Sequence, residues 1–65
     1  MNHMTELRIP ADDFRIGDHV HLDDGSTVEI RDIERGDKGL LIVNSGAQDQ
    51  LDGHVWEHAT VNRPA

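Results

Sequence analysis

Apolar and polar residues alternate with a period of two through the middle of the chain, and that alternation predicts strands. Val20 and Leu22 alternate with His19 and His21, a turn signal follows at Asp24-Gly25, and Val28 and Ile30 then alternate with Thr27, Glu29 and Arg31. The pattern fits two half-buried strands joined as a hairpin. Facing residues of an antiparallel pair point to the same side of the sheet, so the loop length decides whether apolar meets apolar. A two-residue loop at Asp24-Gly25 would set Val20 against Glu29 and mix the faces. A three-residue loop, Asp23-Asp24-Gly25, sets Val20 against Val28, with Gly25 in the left-handed position that closes a type I turn. This second register is the expected one. It places His19 across from Glu29 and His21 across from Thr27 on the outer face.

Residues 5–9 predict a short edge strand with Leu7 and Ile9 on one face, stopped by Pro10. Ala11-Asp12-Asp13-Phe14 predicts a single turn that drops Phe14 into the core. The charged, glycine-bearing run from Glu34 to Gly39 marks a surface turn. Leu40-Leu41-Ile42-Val43 is continuously apolar, as in a strand covered on both faces. Residues 44–50 are polar and turn-rich and predict the longest exposed loop, where variable contacts concentrate. Asp52-Gly53 predicts a further turn, and residues 54–61 one or two closing strands.

Five short strands without an amphipathic helix predict an all-β fold, a small five-stranded antiparallel barrel. The run Phe14-x-Ile16-Gly17-Asp18-x-Val20-x-Leu22-x-Asp24-Gly25, followed by Val28 and Ile33, resembles the opening of SH3-like small barrels of the KOW and Tudor-like type. The likeness covers about the first half of the chain. It implies a small barrel and a tendency to bind protein. Two departures limit what it carries over: RNA-contacting KOW barrels are basic, and Tudor-type methyl-lysine readers need an aromatic cage that Phe14 and Trp56 cannot build alone.

Sixty-five residues make a single small domain, expected over residues 5–63, whose burial on folding leaves little stability to spare. Residues 1–4, with two methionines and a His-Met pair, match a cloning-site remnant, so His3 is set aside. The chain has no cysteine, which excludes disulfides and thiolate metal sites and fits a reducing cytoplasm. No apolar run is long enough to span a membrane. Thirteen acidic against six basic residues give a net charge of −7, which opposes nucleic acid and favours a basic protein partner. Five arginines against one lysine suggest a GC-rich coding sequence, as in an actinobacterium or one of its phages.

Catalytic chemistry finds no support. Ser26 and Ser45 sit in turns, no glycine-rich loop precedes a helix, and the adjacent pairs Asp12-Asp13 and Asp23-Asp24 suit caps and turns rather than an acid/base dyad. Neither catalytic residues nor a cofactor are expected. The expected function is that of a non-enzymatic protein-binding module, an adaptor or inhibitor. Its candidate contact residues are Trp56, the loop residues Asn44, Gln48, Asp49 and Gln50, and His19 and His21 of the hairpin face. Trp56 has two readings, an interface anchor or the main core plug. One alternative is a homo-oligomeric accessory protein pairing through its N-terminal strand. A second is a metal- or pH-responsive regulator in which His19, His21, His54 and His58 converge. A third, an acidic mimic of nucleic acid, rests on charge alone.

Overall fold

The computed structural model describes residues 3–64, and these form an all-β fold. The strands are β1 (Met4–Pro10), β2 (His19–His21), β3 (Thr27–Glu29), β4 (Ile33–Arg35), β5 (Leu40–Val43), β6 (Leu51–His54) and β7 (His58–Pro64). They pair into two antiparallel sheets, ordered β1-β7-β2-β3 and β4-β5-β6. The start remnant expected at residues 1–4 lies partly outside the described residues, and Met4 opens β1. No helix among the described residues is long and apolar enough to cross a membrane.

The hairpin has the register that the alternation predicts. His19 faces Glu29, Val20 faces Val28 and His21 faces Thr27. Leu22 N donates to Ser26 O at 2.9 Å, which leaves Asp23, Asp24 and Gly25 as the loop. Gly25 has φ of 90°, a region costly for any residue with a β-carbon. Asp24 fixes the turn by accepting from the Ser26 amide at 2.9 Å and the Ser26 hydroxyl at 2.6 Å. These contacts hold its carboxyl below its ordinary value.

Seven strands in two sheets replace the five strands of a closed barrel, for three physical reasons. The alternation expected through Arg31 stops as strand at Glu29, the chain turns a corner at residues 30–32, and Glu34 and Arg35, expected within a surface turn, lie instead in β4 of the second sheet. Asp52 and Gly53, expected as a turn, lie inside β6, where they pair with Ile42 and Leu41. β1 and β6 do not pair. The single turn Ala11–Asp13 lies across that seam instead, with Ala11 N donating to Glu57 O at 2.7 Å and Asp12 N to Val55 O at 3.0 Å.

Asn44 fastens the corner. Its Oδ1 accepts from Arg31 N at 2.8 Å and Asp32 N at 3.2 Å, its Nδ2 donates to Glu29 O at 2.9 Å, and its own amide donates to Asp32 O at 2.9 Å. The residue is only 3% exposed and has φ of 55°, a left-handed conformation that asparagine tolerates better than most. Only an amide side chain offers the acceptor and the donor together at this length.

A second polar group is buried at the other end of the corner. Asp18 is 1% exposed, and its two carboxylate oxygens accept from Arg63 Nε and Nη2, each at 2.9 Å, while Arg15 N adds a bond at 3.0 Å. Burial pushes the Asp18 carboxyl up, but the bonds from Arg63 and Arg15 and the charges of both residues outweigh it, so the group sits below its ordinary value. The Asp18 backbone also pairs with the corner, its carbonyl accepting from Ile30 N at 2.8 Å.

Around these polar anchors the core is aliphatic and small: Val20, Ile30, Leu41, Val43 and Val61, with Ala11 at its margin. Phe14 packs against it half-buried, as expected. β5 is less enclosed than its continuous apolar run predicts. Leu41 and Val43 are buried, but Leu40 and Ile42 on the other face are half-buried.

Asn44→Ala leaves three part-buried backbone groups without their partner and is expected to lower unfolding free energy by about 2–4 kcal/mol, read by urea titration. An Asn44→Gly variant keeps the left-handed backbone accessible, so an equally large loss there assigns the cost to the amide. Asp18→Asn, which removes the charge that balances Arg63, is expected to cost about 3 kcal/mol at neutral pH. Because the native Asp18 group lies below its ordinary value of 3.8, its contribution is present above that value and is lost as pH falls through the lower native one. Wild-type stability should therefore fall more steeply than that of Asp18→Asn below about pH 4. Parallel acid limbs in the two proteins would contradict this.

Candidate functional site

The open seam leaves a hollow in the core. Its floor is made by Ala11, Phe14, Val20, Leu41, Leu51 and Ala59, and its volume is about 170 Å³. The hollow is open to solvent on one side, where Asp52, His54, Glu57 and His58 border it. β6 pairs Leu51 with Val43 and Gly53 with Leu41, and the Glu57 carboxylate lies 3.2 Å from where a β-carbon on Gly53 would stand.

A wider, polar groove of about 550 Å³ adjoins the hollow, and both are bordered by Asp52, Glu57, His58 and Ala59. Arg8, His21, Asp23 and Thr60 complete the groove. Arg8 is held there by a 3.2 Å bond to Thr60 Oγ1. Three carboxylates, Asp23, Asp52 and Glu57, face one arginine along the rim. Glu57 is fixed in place because its Oε1 accepts from His54 N at 2.6 Å and lies 3.2 Å from His54 Nδ1.

Trp56 lies outside the core. It is 61% exposed, its ring stacks on His54 at 4.7 Å between centroids and 17° between planes, and it covers Gly39. Gly39 has φ of 80°, and a β-carbon there would collide with the indole, so glycine is required twice over at this position. Of the two readings of Trp56, the exposed one describes its position.

The other expected contact residues are placed unevenly. His21 borders the polar groove, whereas His19 is half-buried beside Glu29 on the same strand face. The loop after β5 is exposed at residues 45–48 and 50, as expected, but several of its polar groups are engaged within the chain. Asn44 is buried at the corner, contrary to its expected exposure. Asp49 pairs with Arg31 at 2.7 Å, which lowers its carboxyl below the ordinary value. Gln50 bridges Gly46 N at 2.8 Å and Asp52 Oδ1 at 2.7 Å. Gln48 remains exposed. The four histidines do not converge as a metal site: His54 and His58 border the hollow and His21 and His58 the groove, and among the described residues no three His, Asp or Glu side chains are grouped to hold an ion.

The sequence reading missed Arg8, Asp23, Asp52, Glu57 and His58 as one rim, since they come from four separated stretches. A signal was present at Asp52-Gly53, where taking the pair as strand rather than turn puts a glycine on the core face. Comparison with protein-family models, with curated proteins and with solved structures returns no match to this chain.

Trp56→Ala is expected to cost no more than about 1 kcal/mol in a urea titration, against about 3–5 kcal/mol for removal of a buried core aromatic. Acrylamide should also quench the single tryptophan nearly as well as it quenches the free amino acid.

Proposed function

We propose that this chain is a small non-enzymatic protein-binding module that takes a short partner segment carrying an apolar side chain next to a basic one. The observation that carries this reading is the apolar hollow of about 170 Å³ opening beside a rim of Asp23, Asp52 and Glu57. An open apolar depression of about 170 Å³ has room for one aliphatic or aromatic side chain. The rim then favours a lysine or arginine beside it, and the net charge of −7 attracts such a partner from a distance. The unpaired edge of β6, next to the hollow, offers backbone groups to an extended segment.

An opened SH3-like architecture accords with the strand order. The sheets β1-β7-β2-β3 and β4-β5-β6 are unpaired between β3 and β4 and between β6 and β1, and the corner at residues 30–32 that joins them supports reading the fold as an opened small barrel. The non-enzymatic reading draws support from the hydroxyl of Ser26, which is engaged by Asp24, and from the lack of a cysteine nucleophile. The lack of cysteine likewise supports a cytoplasmic site of action.

The test is an array of hexapeptides with one leucine flanked either by lysines or by glutamates, with the emission of Trp56 as a solution readout because its ring stacks on His54 at the hollow's margin. Binding to the lysine set alone is expected, weakened about tenfold or more in an Asp23→Lys/Asp52→Lys variant. Equal binding to both sets, or to neither, would remove the proposal.

A further inference from the structure

The longest unpaired strand edge among the described residues belongs to β1, seven residues long, which pairs with β7 on one side only. Exposed edges of this length are ordinarily guarded by charged side chains or proline, or covered by another segment, and charges guard an edge only against partners of the same sign at the facing positions. The β1 edge carries Glu6 and Arg8, opposite in charge, both exposed and on the same strand face, with the half-buried Leu7 between them. Opposite charges spaced two residues apart on an edge are complementary to themselves under one symmetry only. In an antiparallel pair with its two-fold axis at Leu7, each Glu6 lies across from Arg8 of the second copy, Thr5 lies across from Ile9, and Leu7 meets Leu7. A parallel pair in register would set Glu6 against Glu6.

We infer that the outer edge of β1 is the docking surface for a second copy of this chain, paired antiparallel about Leu7. This interface meets the rim of the polar groove at Arg8, whose guanidinium bonds Thr60 Oγ1 within the chain at 3.2 Å, and shares no other residue with it. It joins the two copies' first sheets into one continuous sheet, and facing β-carbons at these positions lie about 5 Å apart, close enough for the paired charges to interact. Val61 lies across from Leu7 within each copy and is fully buried, so the Leu7 pair extends an existing apolar row. Pro10 lacks an amide hydrogen and faces Met4 of the second copy, so the ladder ends where the strand ends.

Sedimentation equilibrium of the full chain from micromolar to millimolar concentration tests this. Wild type is expected to dimerise, and Glu6→Arg or Arg8→Glu alone to raise the dimer dissociation constant about tenfold or more. An equimolar mixture of these two variants is expected to restore the dimer, because every cross-edge pair is then of opposite charge. The double variant E6R/R8E is expected to dimerise like wild type. Both residues are exposed, and circular dichroism with a urea titration verifies that each variant folds. A wild-type monomer throughout the range, a dimer indifferent to either single reversal, or a mixture that stays monomeric would each overturn the inference.

Discussion

A strand that leaves one sheet to enter another must give up ladder hydrogen bonds at the corner, and buried backbone groups cannot remain unpaired without a large cost. Here the side chain of Asn44 replaces them, bonding the backbone of Glu29, Arg31 and Asp32 from the end of β5. Both sheets depend on this one amide. With the corner held, the hairpin of the first sheet and the three strands of the second enclose the same aliphatic core. The position is demanding because it combines a left-handed backbone, near-complete burial and a side chain that both donates and accepts.

The Asp18–Arg63 pair plays the matching part for the last strand. Arg63 reaches from β7 to the carboxylate of Asp18 and the carbonyl of Asp13, so the C-terminal strand is tied to the loops before β2 as well as to its neighbours. A chain of this length cannot depend on apolar area alone. Its core holds no fully buried aromatic side chain, and the two buried polar anchors supply specificity that packing does not.

The same economy shapes the surface. Trp56, the largest side chain, covers a glycine and a histidine at the edge of the fold instead of filling the middle. The loop after β5 satisfies its own polar groups and leaves little for a partner. Apolar surface and unpaired backbone meet water at the open seam and along the edge of β1.

The sequence alone determined the all-β class, the hairpin with its three-residue turn and the edge position of β1, because each follows from period-two alternation and local turn chemistry within a few residues. Only the tertiary structure decided that Asn44 is a buried fastener, that Asp52-Gly53 is strand and that Trp56 lies outside. Each of these depends on partners far along the chain: Asn44 on residues 29–32, Gly53 on Leu41, and Trp56 on Gly39. The rim of the groove was hidden for the same reason. Alternation shows which face a residue occupies, but not which distant faces are brought together.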